Sequence, residues 1–252
     1  IRTNHSDAMD IAMIGEWAKS FKEKTFATLA ADYVWGRDSA ESFAKAAKGL
    51  GKEVKLQLYP PMGTKDFSPY IAQLKEAKVE AVWVAETGRD AIAFVKQAQE
   101  FGLIPQTKLI GHSLLQNFMM DATGRALENV PGNVTYSPEI DNARNKAFVN
   151  AFKAKFNRLP TDNEGLGYNG TQVIFEGVKL AKSTKPGEVT KALSGATVDT
   201  VFGRAQVRAA DNQMVLANYV GRARMVDGQL RAPIEQVFPA SIVPAASPLC
   251  KL

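Results

Sequence analysis

Thr25-Phe26-Ala27-Thr28-Leu29-Ala30 runs directly into Ala31-Asp32-Tyr33-Val34-Trp35-Gly36. A short apolar and β-branched run that stops at a polar, aromatic loop reads as a buried strand delivering that loop to a sheet edge. Downstream the same reading applies to Val54-Lys55-Leu56-Gln57-Leu58-Tyr59, Ala81-Val82-Trp83-Val84-Ala85, Lys108-Leu109-Ile110-Gly111 and Asn133-Val134-Thr135-Tyr136. The runs start near 26, 54, 81, 107 and 133. A spacing of roughly 26–28 residues is the length of a strand with its crossover helix.

The intervening segments carry helical patterns. Met9, Met13 and Trp17 follow Ser6, a good N-cap; Phe43, Ala47 and Leu50 precede Gly51, a stop signal. Phe67, Tyr70, Ile71 and Leu74 form one apolar stripe, and Ala91, Phe94, Val95 and Ala98 another that ends before Gly102. Alternating strand and helix predicts an α/β fold with a parallel sheet covered on both faces. After Ser137 the rhythm breaks. Helices are expected near 142–156 and 164–182, a shorter one from Pro186 to Leu193, and β-structure from Thr200 to Val226 with turns at Ala210-Asp211-Asn212 and Asp227-Gly228. Two helices and a hairpin make no doubly wound domain by themselves, so a second, incomplete domain is expected.

Composition narrows the function classes. The 252 residues are 45% hydrophobic and 23% charged, which excludes disordered and collagen-like chains. The formal net charge of +5 is mild, with bases and acids interspersed, so no nucleic-acid partner is expected. No run reaches the ~18 apolar residues of a membrane span, so the chain is not expected to span a membrane. The two histidines, His5 and His112, are far apart, and the one cysteine, Cys250, lies in a Pro/Ala/Ser-rich tail. No metal site is expected from that set, nor any other cofactor, because Gly-rich phosphate loops are missing. No G-x-S-x-G elbow or H-E-x-x-H occurs, and the chain is not expected to be an enzyme. A catalytic alternative would have to be built around His112 and Glu86. Because the chain opens Ile1-Arg2-Thr3, a cleaved leader or an absent preceding piece is expected. An odd cysteine suggests that the partner of Cys250 would lie in such a piece.

In open parallel sheets, ligands sit outside the carboxyl ends of the strands. Those ends carry Tyr33 and Trp35 after the first strand, Glu86, Thr87 and Arg89 after the third, His112 and Ser113 after the fourth, and Tyr136 and Ser137 after the fifth. Rings with a few polar groups suit a small amphipathic ligand. Each residue also has a plain structural reading: Tyr33 and Trp35 as loop aromatics, Glu86 as the ion-pair partner of Arg89, and His112 as a satisfied core histidine. Trp83, within a strand, is assigned to the core.

Several ordered segments resemble the type I periplasmic substrate-binding proteins, in their branched-chain amino-acid branch. They are Ile1-Arg2-Thr3-Asn4 before a helix at Ser6-Asp7, the loop Asp32-Tyr33-Val34-Trp35-Gly36-Arg37, and Thr64-Lys65-Asp66-Phe67-Ser68. Ala147-Phe148 with Phe152, and then Tyr168, continue the series, so that the similarity covers essentially the whole chain. The resemblance implies two α/β lobes joined by three crossovers, which close by hinge bending on a ligand held between them. Residues 4–137 with about 215–240 would form the second lobe, 1–3 and 138–214 a remnant of the first, and 241–252 a tail. Several βα units would then be missing ahead of Arg2-Thr3, a gap of about a hundred residues.

The resemblance further implies a monomeric, non-catalytic, periplasmic receptor made with a signal peptide, which delivers its ligand to the membrane permease of an ABC importer. It also implies an aromatic ligand contact at Trp35 and an acid near Ser113 for an amino-acid ammonium. That acid is missing. Gly165 stands where a bulky aromatic is usual, three residues before Tyr168. These departures point to a roomier or differently charged ligand, an aromatic or other organic carboxylate, unless Glu86 supplies the acid from the neighbouring strand end. A regulatory ligand sensor of the same fold is the alternative.

Overall fold

The computed structural model describes residues 1–250. Its contacts divide the chain into two units, the first comprising 1–10, 135–218 and 237–252 and the second 11–134 and 219–236.

The second unit carries the repeating pattern. The strands are β1 (Thr25–Ala30), β2 (Glu53–Leu58), β3 (Ala81–Ala85), β4 (Lys108–Gly111) and β5 (Pro131–Val134), alternating with α2 (Val34–Gly49), α3 (Ser68–Glu76), α4 (Gly88–Glu100) and α5 (Asn117–Thr123). The α1 helix (Asp7–Trp17) leads in. β2, β1, β3, β4 and β5 pair in parallel in that order, with Phe26 opposite both Val54 and Ala81. β9 (Asn218–Arg222) then adds antiparallel to β5, and β12 (Ile234–Phe238) lies beyond it, making a seven-stranded sheet.

Every residue of β3 is buried, as a strand covered on both faces requires, whereas the edge strand β2 alternates outward and inward. The core is aromatic: Phe43 of α2 stacks flat on Trp83 at 4.6 Å and meets Phe26 edge-on at 5.2 Å. α2 begins at Val34 because the chain turns tightly between Ala31 and Gly36; any side chain at Gly36 would collide with the Ala31 backbone.

Two differences from the sequence expectation stand out. β5 begins and ends two residues early, so Tyr136 lies past the strand instead of in it. α5 was not anticipated, being a seven-residue helix in a stretch with no clear stripe.

The first unit is built differently. α6 (Ala143–Phe156), α7 (Asp162–Ala181) and α8 (Pro186–Leu193) precede an antiparallel sheet of β6 (Thr197–Thr200), β7 (Gly203–Arg208) and β8 (Gln213–Val215). Val173, Leu193, Val198, Val207 and Met214 form its core together with Met9. The amino-terminal residues are tied in by Arg2, whose N–H and C=O bond Asn212 and Met214 at 2.9 Å each. Residues 4–10, expected with the second lobe, therefore lie in this unit: Met9 packs in its core and accepts a bond from Asn218 Nδ2. The remaining hairpin, β10 (Arg224–Val226) with β11 (Gln229–Arg231), belongs to the second unit.

Candidate functional site

The candidate site is the carboxyl-end edge of the parallel strands in the second unit. Backbone pairing to β3 runs one residue past β1 and past β4: Ala31 N–H donates to Ala85 O at 3.0 Å and His112 N–H to Val84 O at 2.7 Å. The loops that follow β1, β3 and β4 therefore leave the sheet at the same level. Tyr33 sits just before α2 and is about a third exposed, at 37%; its ring stacks on Trp35 with centroids 5.9 Å apart. Trp35 in turn lies 5.0 Å from the His112 ring. A continuous aromatic shelf results.

Behind the shelf lies a buried polar chain. His112 is 3% exposed, and its Nδ1 is 2.8 Å from Ser39 Oγ, which also accepts from Trp83 Nε1 at 3.0 Å. The plain reading of His112 as a satisfied histidine thus describes its Nδ1 side, while its face toward Trp35 belongs to the shelf. Ser113 adopts a left-handed backbone (φ 73°), and its N–H donates to Asn133 Oδ1 at 2.7 Å, which fixes the turn after β4.

Glu86 is 2% exposed at the end of β3. Burial, aided by the negative charge of Asp90, pushes its carboxyl up to about 8, with only the Thr87 N–H opposing. No cation enters that balance, so the expected partnership with Arg89 does not set its ionisation. Thr87 immediately precedes α4 and turns its hydroxyl to Gln116 Oε1 at 3.3 Å. Asp32, in the same loop as Tyr33, is taken up by Arg37, whose guanidinium lies over Tyr59.

Two expected site residues fall in the first unit. Tyr136 is buried, and its hydroxyl donates to Asn145 Oδ1 at 2.8 Å; burial raises its ionisation well above the ordinary phenol value. A side chain at Gly165 would run into the Tyr136 ring. The room beside Gly165 is therefore occupied by Tyr136 from within the unit. Phe148 and Tyr168, which carry part of the resemblance, stack on each other at 4.1 Å.

Ser39 was missed at the sequence level. Its signal was a polar residue in line with Phe43 and Ala47 on the inward stripe of α2. A cavity of about 490 Å³ lies at the opposite, amino-terminal edge of the sheet. Its charged walls pair among themselves, Lys108 with Glu23 and Arg222 with Glu235. Among the described residues no cluster of three or more His, Cys, Asp or Glu side chains is placed to hold a metal, and no helix is long and apolar enough to cross a membrane.

Residues 1–229 match the family model described as periplasmic binding protein. The chain belongs to that family. It is 27% identical over 228 residues to a Leu/Ile/Val-binding protein homolog from Brucella melitensis, covering 86% of this chain and 52% of the relative. The leucine-, isoleucine-, valine-, threonine- and alanine-binding protein of Pseudomonas aeruginosa is 29% identical over 207 residues, covering 80% and 54% of the two chains. The chain thus spans about half the length of the curated relatives it matches. Among solved structures, a solute-binding protein of an ABC transporter from Rhodopseudomonas palustris, in complex with 3,4-dihydroxybenzoic acid, superposes with a TM-score of 0.84 at 28% identity. That match covers 95% of this chain and 67% of the other. The fold is that of the type I periplasmic binding proteins, and these relatives are binding proteins.

Proposed function

We propose that this chain serves a solute receptor of an ABC importer, and that the carboxyl-end edge of its second unit binds a small aromatic or other organic carboxylate. The observation that carries this reading is the Tyr33–Trp35–His112 shelf beside Glu86, a buried carboxyl with no cation among the groups that set its ionisation. Flat rings offer a broad apolar face to an aromatic ligand. A carboxyl pushed up to about 8 is protonated at neutral pH and offers an O–H, which an oxygen-rich ligand accepts. The dihydroxybenzoate in the R. palustris relative supports the same ligand class.

A second reading, an α-amino acid ligand, is favoured by the likeness to the P. aeruginosa amino-acid-binding protein, with Glu86 ionising to meet the ammonium. Thermal shifts with 3,4-dihydroxybenzoate and with leucine separate the two. Ligand at saturation raises the apparent melting temperature by several degrees. The carboxylate reading expects the dihydroxybenzoate shift to survive Glu86→Gln. The amino-acid reading expects a leucine shift that this substitution abolishes. If neither compound nor a broader panel of both classes shifts the melt, the receptor reading fails.

The proposal extends to the two units as the two lobes of such a receptor, to hinge closure on the ligand and to delivery to a membrane permease. A periplasmic location and a monomeric state complete it. Tyr136 and Gly165 would serve within the first lobe as packing partners, and Thr87 and Ser113 as the backbone turns that hold the rim.

A further inference from the structure

Ser39 lies on the inward face of α2, buried against β3 and the turn after β4. Its hydroxyl bonds two groups, Trp83 Nε1 at 3.0 Å and His112 Nδ1 at 2.8 Å. An indole N–H only donates, so Ser39 Oγ accepts from Trp83 and keeps its own proton to give. In a buried site, an O–H with no acceptor is costly. One arrangement satisfies all three groups: Trp83 Nε1–H donates to Ser39 Oγ, and Ser39 O–H donates to His112 Nδ1. Nδ1 is then the acceptor, and the ring proton of the neutral imidazole resides on Nε2.

We infer that Ser39 is a positioning residue which, through this relay, fixes the tautomer and plane of His112 and so seats the Trp35–Tyr33 shelf for the ligand. His112 is the link, because its ring lies between Trp83, at 6.1 Å, and Trp35, at 5.0 Å. A ring held by a hydrogen bond on one edge presents a constant face to Trp35, and a stacking surface binds best when it is already in place. The tautomer assignment stands on the Trp83–Ser39–His112 hydrogen bonds alone; the role in binding rests on the shelf being the ligand surface, as proposed above.

Long-range proton–nitrogen correlation NMR on the ligand-free chain tests the relay. The chain has only two histidines, so His5→Gln assigns the remaining signal. The expected result is a single neutral form of His112 with Nδ1 unprotonated and Nε2 protonated, giving way to a mixture in Ser39→Ala. A wild-type ring protonated on Nδ1, or a pattern that Ser39→Ala leaves unchanged, overturns the inference. The role in binding is read by calorimetry with 3,4-dihydroxybenzoate. Ser39→Ala is expected to weaken binding about three- to tenfold, the effect of one hydrogen bond, and Ser39→Thr, which keeps the hydroxyl, to restore both the affinity and the NMR pattern. Unchanged affinity in Ser39→Ala overturns the positioning role. If the wild-type chain binds neither dihydroxybenzoate nor leucine, the ligand reading falls and takes that role with it, while the ligand-free NMR still decides the relay.

Discussion

The two units reach stability by different routes. In the second, long-range burial dominates: β3 is wholly buried, and Trp83 touches Trp17, Phe43 and His112. Its polar groups are hidden inside that apolar frame, as Ser39, His112 and Glu86 show. In the first unit a smaller aliphatic core sits beneath helices that leave Phe156, Ile174, Phe175 and Leu180 more than half exposed. Local devices carry more of the load there. Thr161 and Glu164 form a reciprocal capping box on α7, Asn142 caps α6, and Arg208 grips Asp211 through two bonds of 2.9 and 2.6 Å. Each unit perturbs side chains in its own way: burial raises Glu86 in the second and Tyr136 in the first, while Arg158 lowers Glu164 at the surface of the first.

The largest effect is expected at Trp83. Removing a fully buried aromatic side chain costs about 3–5 kcal/mol, so Trp83→Ala should lower the urea midpoint of the second unit severely. A loss of less than about 1 kcal/mol would mean that burial does not dominate there, and the contrast between the units would collapse.

The pH response should run in opposite directions at two carboxyls, one in each unit. The Glu86 carboxyl rises from 4.5 to about 8, so the folded state holds a proton that the unfolded chain releases. Its contribution is complete below pH 4.5 and is lost as the pH climbs through 8. Glu86→Gln should remove that loss, gaining up to about 5 kcal/mol in alkaline solution. Glu164 behaves inversely. Arg158 first, then the Thr161 N–H and hydroxyl, hold its carboxyl down from 4.5 to about 2. Its contribution is complete above pH 4.5 and is lost as the pH falls toward 2. The pair is partly solvated, so the effect is roughly 1 kcal/mol. Denaturation of wild type, Glu86→Gln and Glu164→Gln at pH 3, 6 and 9 checks both slopes. An alkaline loss that persists in Glu86→Gln would contradict the assignment of that loss to Glu86.

A smaller test sharpens the picture inside α7. Gly165→Ala pushes a methyl into the Tyr136 ring and should cost about 1–3 kcal/mol. Gly167 faces open space in the same helix, and Gly167→Ala should stabilise by up to about 1 kcal/mol. Calorimetric melts that move in the same direction for both variants would show that helix propensity, and not the contact with Tyr136, governs position 165.

Much of this architecture is legible in the sequence. β1, β3 and β4 fall where their apolar runs lie, and α8 occupies Pro186–Leu193 as read. Each is defined by its own residues: a β-branched run, a stripe, a proline at the first turn. The place of β9 in the large sheet is not legible in the sequence, because its antiparallel pairing to β5 is a contact between residues some ninety positions apart, and β12 joins only beyond β9. Tyr33, Trp35, Glu86 and His112 were picked from strand ends. Tyr136 comes from a strand end too, Gly165 only from the family resemblance, and the two meet each other.

The sequence by itself determined the alternation of strand and helix, and with it the α/β class and the edge at which polar loops gather. Periodicity and turn residues are local properties and survive without a partner. Only the tertiary structure decided what those loops do to one another: that Ser39 joins Trp83 to His112, that Glu86 has burial and no cation to set its ionisation, and that Tyr136 fills the space at Gly165. Hydrogen-bond partners, dielectric surroundings and steric fit are properties of distant residues brought together, and no single stretch of chain contains them.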